Sequence, residues 1–315
     1  MDVGALGRSL EQALPERIAR ERALAPLTTY RLGGPAAFLL EPSSARDVET
    51  AAAILRDAGD VPLLVLGRGS NTVVSDAGWP GLAIHVGGGV SWIEDRGAGL
   101  VWAGAGTSLP QLANWAARRG LTGLEFLVSI PGSVGGGVRM NAGAHGGEIA
   151  RSLVSATVLD LTSLDVRTVP AHDLDMGYRR TSLGSRAIVV GAVFSLEPAP
   201  PAAIRERMES YRRHRAETQP GAASNAGSVF KNPPGDFAGR LVEAAGLKGF
   251  RVGGARVSEL HANFFVAGAG ATAQDVFDLV HAVRAKVRAA SGVELEPEIR
   301  FAGAFAEPAV EGVAS

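Results

Sequence analysis

Residues 130–148, IPGSVGGGVRMNAGAHGGE, constrain this chain more than any other part of its sequence. Seven of these nineteen residues are glycine, and glycine loses more backbone freedom on folding than any other residue. A fold tolerates that cost where a backbone must approach something more closely than a Cβ atom would allow. The stretch therefore predicts close contact between this backbone and a phosphate, a flat ring or another backbone.

Length and composition narrow the class of protein. At 315 residues the chain exceeds the usual size of one hydrophobic core, so two or three domains are expected. A net charge of −1 shows no basic excess for nucleic acid, and no apolar run approaches the roughly 18 residues of a membrane span. With no cysteine and no signal-peptide pattern, we expect a cytoplasmic protein, in which any redox chemistry would have to come from a bound cofactor. The six histidines lack metal-ligand spacing, so no metal is predicted.

The pattern divides the chain into four segments, which are a lead-in (1–26), a β-rich domain (27–200), an α+β domain (201–303) and a loose tail (304–315). The boundary near 200 rests on EPAPP at 197–201, because three prolines cannot join a central strand or a helix interior. Helices are predicted after Ser44, after Ser108, over 202–215, and after the capping box of Thr272 and Asp275. Strands are predicted at 62–66, 82–86, 100–103, 153–161, 166–169, 187–196 and 294–301.

Two further glycine-bearing turns follow predicted strands. LGRGSNT at 66–72 could form an anion nest around a diphosphate, with short polar side chains at Ser70, Asn71 and Thr72. It matches neither the dinucleotide fingerprint nor a Walker loop. GAGTS at 104–108 is more typical of a strand-to-helix turn. Two glycine-dense loops beside strands suit a cofactor with a diphosphate and a flat ring, such as flavin adenine dinucleotide (FAD).

Three other clusters carry groups that could do chemistry, and each also has a purely structural interpretation. YRRTS at 178–182 is compatible with a surface turn. NAGSVFKNP at 225–233 contains Ser228, which has no neighbouring histidine to make it a nucleophile but could donate a proton. LEPEIR at 295–300 places Glu296 and Glu298 on one face of a strand, which is also what a solvated strand face looks like.

Taken in order, these motifs resemble the UDP-N-acetylenolpyruvoylglucosamine reductase (UDP-N-acetylmuramate dehydrogenase) family. TYRLGG at 29–34 and AGLKGFRVGG at 245–254 support the resemblance, which covers roughly residues 25–303. It implies an α+β fold, in which a two-subdomain FAD-binding domain of the vanillyl-alcohol oxidase / p-cresol methylhydroxylase type (about 27–86 and 87–200) precedes a C-terminal α+β substrate domain. The chain resembles the branch without an extra tyrosine-bearing loop.

The resemblance also implies the activity and its residues. NADPH would reduce a non-covalently held FAD, and the enzyme would then reduce UDP-N-acetylglucosamine enolpyruvate to UDP-N-acetylmuramate for peptidoglycan synthesis. Arg179 would stabilise the enolate, Ser228 would donate a proton, and Glu298 would be the acidic catalytic residue. Substrate contacts are expected from Tyr178, Lys231 and Asn232, and a monomer is expected. The cofactor-binding residues are expected to be Gly67, Arg68, Gly69, Ser70, Asn71, Thr72, Pro131, Gly132, Ser133, Gly136, Asn141, Gly143 and Gly147.

Two alternatives stay open at the level of sequence. The first is a flavin oxidase on the same fold, in which His145 would be a candidate covalent flavin anchor. The second is a nucleotide-binding regulatory module without catalysis. Ser133, Gly137 and His145 are departures from the family pattern, which has threonine at the first position, commonly alanine at the second and often tyrosine at the third.

Overall fold

The computed structural model describes residues 3–59, 61–221 and 224–308. Among these residues the α-helices are α1 (Val3–Ala13), α2 (Ala45–Ala58), α3 (Leu109–Arg118), α4 (Val134–Arg139), α5 (Pro201–Thr218), α6 (Ala238–Ala244) and α7 (Ala273–Ser291). The strands are β1 (Ile18–Ala23), β2 (Pro35–Leu40), β3 (Leu63–Leu66), β4 (Thr72–Val74), β5 (Trp79–His85), β6 (Ile93–Gly97), β7 (Leu100–Gly104), β8 (Leu121–Thr122), β9 (Gly143–Ala144), β10 (Gly147–Glu148), β11 (Leu153–Asp160), β12 (Val166–Pro170), β13 (Ala187–Ser195), β14 (Glu197–Pro198), β15 (Arg251–Val252), β16 (Ala255–Val257), β17 (Phe265–Ala267) and β18 (Arg300–Ala302). Short 3-10 helices occur at Ala25–Leu27, Gly88–Val90, Glu125–Ser129, Ile149–Arg151 and Ala171–Leu174. The larger sheets have the strand orders β1-β2-β5-β3, β12-β11-β13-β7-β6 and β15-β16-β17.

The chain forms two compact units that are interleaved along the sequence. The first comprises Met1–Arg20, Phe38–Arg68 and Gly81–Arg215, and the second comprises Glu21–Ala37, Gly69–Pro80 and Ala216–Ser315. The chain thus passes from one unit to the other after Arg20, Ala37, Arg68, Pro80 and Arg215. The domain boundaries predicted near residues 26, 200 and 303 stay predictions.

The first unit is built around the five-stranded antiparallel sheet, with α3 and α4 as the helices that position the glycine-rich stretch. Helix α3 begins where Ser108 Oγ accepts a hydrogen bond from the Gln111 amide, at 3.2 Å. Its buried face, which includes Leu109 and Leu112, packs in one core with Phe194 and Val138. Burial of such side chains contributes about 1.5–3 kcal/mol each.

The second unit packs α6 and α7 with the three-stranded sheet. Helix α7 begins with the predicted capping box of Thr272 and Asp275, and its valines at positions 276, 280, 283 and 287 are fully buried. Asp76 adds a cap from a distant loop, because its carboxylate accepts hydrogen bonds from the amides of Ala273 (3.0 Å) and Gln274 (3.1 Å). Tyr30 is buried in this core, where its hydroxyl donates to the Phe265 carbonyl at 3.0 Å and burial raises its pKa.

Most predicted elements are confirmed to within a few residues, including the helices capped by Ser44 and Ser108. The strand predicted at 294–301 is wrong over most of its length, because only Arg300–Ala302 is a strand, paired in parallel with β4. Pro297 has no amide proton for a ladder and makes an isolated bridge to Phe230. In the segment predicted as a loose tail, Phe305 stacks on Phe277 with ring centroids 4.8 Å apart. Residues 309–315 of that segment lie outside the described residues.

No helix among the described residues is both long enough and apolar enough to cross a bilayer.

Candidate active site

The glycine-rich stretch begins against two turns of the first unit. A Cβ atom on Gly67 would clash with the hydroxyl of Ser133, so the start of LGRGSNT lies directly on this stretch. The turn at 104–108 is confirmed as a strand-to-helix turn between β7 and α3. Its carbonyls accept from the stretch, with Ala105 bound by the Gly135 amide and Thr107 by the Val134 amide, both at 2.9 Å. The three glycine-bearing segments of the sequence thus form one cluster.

Several glycines of this stretch lie where neighbouring side chains leave no room for a Cβ atom. A Cβ atom on Gly137 would lie 2.8 Å from Ile149 Cδ1, and one on Gly147 would lie 2.6 Å from Phe126 Cδ1. Gly136 is different, because it is exposed and its nearest neighbour would be Ser133 Oγ at 3.7 Å. The backbone at Gly136 is therefore accessible to a ligand, and the polar hydroxyl of Ser133 stands beside it.

Asn141 has a structural role in the middle of the stretch. It is 1% exposed and has a φ of +42°, a conformation that asparagine tolerates better than most residues. Its amide nitrogen donates to Glu148 Oε2 and to the Gly177 carbonyl, both at 3.1 Å, and its oxygen accepts from the Ala150 amide at 2.9 Å. Asn141 thus joins the stretch to the segment before Arg179, while its predicted contact with a cofactor stays a prediction.

Arg179 is held against the same stretch. Its Nη2 donates to the Gly143 carbonyl at 2.9 Å, and its guanidinium carbon lies 5.0 Å from the ring centroid of Tyr178. Thr181 adds a third link, since its hydroxyl donates to the Arg139 carbonyl at 3.0 Å. The structure therefore brings the predicted catalytic arginine and Tyr178 together with the predicted cofactor-binding stretch.

His145 lies between the stretch and α5. Its ring is stacked on Tyr211, with centroids 4.2 Å apart and an interplanar angle of 6°, and its Nε2 lies 3.1 Å from Ser129 Oγ. Burial, with further contributions from the positive charges of His214 and Arg215, lowers the pKa of His145. The ring is thus engaged with protein on its face and at Nε2.

The second unit carries the other two predicted catalytic residues on neighbouring segments. Ser228 bridges to Phe264 on one side, and on the other the Glu298 amide donates to the Val229 carbonyl at 2.7 Å. Asn71 joins the same arrangement, because its side-chain amide donates to the Glu298 carbonyl at 3.0 Å. The Asn71 end of LGRGSNT therefore supports the segment that carries Glu298.

Lys231 and Asn232 follow Ser228 in this unit. Lys231 Nζ pairs with Glu296 Oε1 at 2.5 Å, and the Asn232 side chain accepts from the Ala238 amide at 3.0 Å at the start of α6. Both side chains thus have protein partners, and their predicted contacts with substrate stay predictions.

The remaining predicted cofactor residues fall in both units. Arg68 and Pro131 are exposed in the first unit, where the Gly132 carbonyl accepts from the Leu109 amide at 2.9 Å. Ser70 and Thr72 are half-buried in the second unit. There Gly69 has a φ of +58°, and a Cβ atom on it would clash with the Leu27 carbonyl. Their roles in binding a cofactor stay predictions.

Comparison with known proteins gives the family. Residues 219–302 match the model for the UDP-N-acetylenolpyruvoylglucosamine reductase C-terminal domain, and residues 36–166 match an FAD binding domain. A UDP-N-acetylenolpyruvoylglucosamine reductase of Symbiobacterium thermophilum is 47% identical over 292 residues, which are 92% of this chain and 93% of the relative. The one of Rubrobacter xylanophilus is 46% identical over 278 residues, 88% of this chain and 92% of the relative. The chain belongs to the UDP-N-acetylenolpyruvoylglucosamine reductase family.

Solved structures confirm the predicted fold. The reductase of Thermus caldophilus superposes with a TM-score of 0.78 at 38% identity, covering 91% of this chain and 99% of that one. A berberine bridge enzyme variant superposes with a TM-score of 0.50 at 16% identity, over 62% of this chain and 44% of that one, which shows a shared fold alone. The reductase fold here is α+β, with an FAD-binding domain of the vanillyl-alcohol oxidase / p-cresol methylhydroxylase type followed by the family's C-terminal domain.

Two residues that contact the segments of the predicted site were missed in the sequence analysis. Asn263, 3% exposed, donates to the Phe230 carbonyl at 2.8 Å and accepts from the Phe230 amide at 2.9 Å, which fixes the segment after Ser228. A lone asparagine among apolar residues in HANFFVA was the available signal. Tyr211 on α5 is the partner of His145, and nothing in its local sequence distinguishes it.

Proposed function

We propose that this chain is an NADPH-dependent flavoenzyme that reduces UDP-N-acetylglucosamine enolpyruvate to UDP-N-acetylmuramate, a precursor of peptidoglycan. Membership of the reductase family supports the activity. The observation that carries the proposal is the guanidinium of Arg179 held against the carbonyl of Gly143, within the glycine-rich stretch. It sets a fixed positive charge beside the predicted cofactor site, as reduction of an enolpyruvate requires.

FAD is the cofactor in this proposal, and the residues present fit it. The accessible backbone at Gly136 beside the hydroxyl of Ser133 offers the close approach that a flat or phosphate-bearing group needs. When bound, FAD supplies the hydride that NADPH delivers to it. The residues proposed to hold it non-covalently are Gly67, Arg68, Gly69, Ser70, Asn71, Thr72, Pro131, Gly132, Ser133, Gly136, Asn141, Gly143 and Gly147.

Arg179 is proposed to act on the carboxylate of the substrate. A guanidinium can hold a carboxylate through two parallel hydrogen bonds. It also stabilises the negative charge that develops on the oxygens when the vinyl group is reduced, and a preorganised donor of this kind is usually a large term in catalysis. The bond to Gly143 and the contact with Tyr178 orient the guanidinium before substrate binds.

Ser228 is proposed to donate the proton that the enolate takes up at C2. A serine hydroxyl is a weak acid, so the proton transfer needs help from a neighbouring group, and positioned acid catalysis is commonly worth about 10²–10⁴ in rate. Glu298 is the proposed acidic partner, and its segment is hydrogen-bonded to the segment of Ser228 through the Val229 carbonyl. Tyr178, Lys231 and Asn232 are proposed to bind the rest of the substrate.

We further propose a cytoplasmic monomer, with an FAD-binding domain at 27–200, in subdomains of about 27–86 and 87–200, and a substrate domain at 201–303. The EPAPP segment at 197–201 supports the boundary near residue 200. UDP-N-acetylglucosamine enolpyruvate and NADPH are its proposed partners.

The direct test follows the flavin spectrum of the purified protein. Addition of NADPH without oxygen should bleach the flavin band, and subsequent addition of UDP-N-acetylglucosamine enolpyruvate should restore it. Bleaching by NADPH without recovery by the enolpyruvate would overturn the proposal. Recovery by oxygen alone, with colour that stays on the polypeptide after denaturation, would instead indicate a covalent flavin oxidase.

A further inference from the structure

A tight hairpin links β9 and β10 within the glycine-rich stretch. The two strands pair with Ala144 opposite Gly147 and Glu148 opposite Gly143. The two residues between them, His145 and Gly146, have φ values of +52° and +76°. Two successive positive φ angles are typical of a two-residue turn of the I′ class. Histidine, like asparagine, is enriched at positive φ among the non-glycine residues, so His145 can occupy this turn while its ring makes contacts elsewhere.

The ring of His145 makes its contacts outside the hairpin. The imidazole of His145 stacks on Tyr211 of α5, and His214 of the same helix meets it edge-on with centroids 5.5 Å apart. The Ser129 hydroxyl donates to the Phe126 carbonyl at 3.2 Å, which leaves a lone pair to accept a hydrogen bond from Nε2–H of His145. His145 therefore pins the tip of the hairpin both to α5 and to the Glu125–Ser129 turn.

Helix α5 is itself firmly anchored where it meets the hairpin. Arg215 donates to the Ser129 carbonyl, and Arg212 Nη2 donates to Asn114 Oδ1 at 2.9 Å. Arg207 pairs with the buried carboxylate of Glu125 at 3.2 Å. Burial opposes the ionisation of Glu125, but hydrogen bonds from Thr122 and Gly123 and the charge of Arg207 outweigh it and lower the pKa. The helix that His145 stacks on is thus held by these three contacts.

The base of the same hairpin bears the carbonyl that orients Arg179. Gly143 has no room for a side chain, since a Cβ atom there would lie 2.6 Å from the Gly147 carbonyl oxygen and 3.3 Å from Arg179 Nη1. Arg179 itself has a φ of +55°, so its own backbone is held in an uncommon conformation. The position of its guanidinium therefore depends on where the hairpin places the Gly143 carbonyl.

We propose that His145 is a positioning residue for Arg179, which clamps the 143–148 hairpin to Tyr211 and thereby fixes the Gly143 carbonyl that aims the guanidinium. The inference rests on the proposed function, since it concerns the step in which Arg179 acts on the enolpyruvate. Misplacing a catalytic group by about 1 Å can cost about 10²-fold in rate. Loss of the clamp should therefore slow reoxidation of the reduced enzyme by the enolpyruvate, with little effect on reduction by NADPH.

A double-mutant cycle on the two half-reactions tests this. In stopped-flow measurements, His145→Ala should slow reoxidation by the enolpyruvate roughly 10-fold or more. Tyr211→Leu, which removes the partner ring from α5, should do the same, and His145→Tyr, which keeps an aromatic ring, should restore most of the rate. In an Arg179→Ala background, His145→Ala should add less than about twofold, because the residue through which it acts is gone.

Each other outcome has a distinct meaning. The positioning role would be overturned if His145→Ala slowed reoxidation as much in the Arg179→Ala background as in the parent enzyme. It would also be overturned if His145→Ala slowed both half-reactions equally. If His145→Ala fails to fold, the same cycle can be measured with Tyr211→Leu, as a single variant and combined with Arg179→Ala. Failure of the proposed function would look different, because the unmodified enzyme would then not be reoxidised by the enolpyruvate, or Arg179→Ala alone would leave that rate unchanged.

Discussion

Asn141 donates a hydrogen bond from its side-chain amide to the carbonyl of Gly177, 36 residues further along the chain, at 3.1 Å. The bond joins the glycine-rich stretch to the turn that carries Arg179. Replacing Asn141 by alanine leaves the Ala150 amide and the Gly177 carbonyl, which belong to half-buried residues, without this partner, and full burial of an unsatisfied group would cost about 1–3 kcal/mol as an upper limit. Urea unfolding should show a lower free energy of unfolding for Asn141→Ala. Asn141→Asp should lose more, because a buried carboxylate would face Glu148, and an Asp variant as stable as the parent would contradict this.

Ser228→Ala should separate the two half-reactions. The alanine variant should keep FAD, so NADPH should bleach the flavin at nearly the normal rate, while reoxidation by the enolpyruvate should fall by about 10²–10⁴-fold with the loss of the proposed proton donor. Arg179→Ala and Glu298→Gln should likewise affect the second half-reaction more. Ser185→Ala, at an exposed serine of the first unit, is the matched control. Equal loss in both half-reactions would remove the role assigned to Ser228.

Two glycines of the stretch should respond in opposite ways to alanine. In Gly147→Ala the new methyl would press on the buried ring of Phe126, and overpacking of this kind costs about 1–3 kcal/mol. In Gly136→Ala the methyl would make only an ordinary contact with Ser133 Oγ, at 3.7 Å, and lies within helix α4, so stability should stay equal or rise by up to about 1 kcal/mol. FAD titration should nevertheless show weaker binding for Gly136→Ala. Normal FAD affinity in that variant would argue against the accessible backbone as the cofactor surface.

Asp76→Ala should destabilise the second unit. The carboxylate of Asp76 caps two amides at the start of α7, and loss of a capping side chain costs about 0.5–2 kcal/mol. Asp57→Ala is the matched control, because Asp57 is 69% exposed and pairs with Arg56 only at the surface, where an ion pair is worth about 0–1 kcal/mol. Thermal unfolding of the two variants should differ accordingly, and equal melting temperatures would show that the distant cap contributes nothing.

Protonation of His261 at acidic pH should lower the free energy of unfolding. Its Nδ1 accepts a hydrogen bond from the Asn263 amide at 3.2 Å, which requires a neutral ring, and burial lowers its pKa below the ordinary 6.5. The unfolded chain therefore binds a proton at higher pH than the folded one, so stability is complete above about 6.5 and falls as the pH drops below it. The same direction holds for His145 and His281.

The contribution of His261 can be isolated by comparing unfolding free energies across that pH window. The variant His261→Asn should show a shallower loss of stability in acid than the parent, because one of the three histidines no longer titrates. A pH dependence that is unchanged in the variant would mean that His261 does not resist protonation in the folded state.

Local chemistry made much of this fold predictable. The serine and threonine caps of α2, α3 and α7 and the short β-rich runs of the first unit could be predicted from residues a few positions apart. The strand predicted at 294–301 was wrong because Pro297 has no amide proton to donate to a neighbouring strand. The segment is therefore held by isolated hydrogen bonds and not by a continuous ladder. The family motifs predicted which residues cluster, and Gly67 with Ser133 is the contact that joins two of them.

The long-range contacts could not be predicted. Nothing around Asn71 indicates that its side chain supports the Glu298 segment, since their separation is 227 residues. Gly147 was predicted as a cofactor residue from the family resemblance, yet the ring of Phe126 by itself explains why it has no side chain, as Ile149 does for Gly137. Such assignments need the partner atoms, which only the folded chain brings together.

The interleaving of the two units has a consequence for how the protein emerges from the ribosome. Tyr30, a core residue of the second unit, precedes its hydrogen-bond partner Phe265 by 235 residues. At about 5–20 residues per second, translation leaves this ring without its partner for roughly 12–47 seconds. Strand β4 likewise has no pairing partner until β18 has been synthesised. A fragment that starts at residue 201 would lack both Tyr30 and β4, so the second unit can complete its core only after β18, at Arg300–Ala302, has been synthesised.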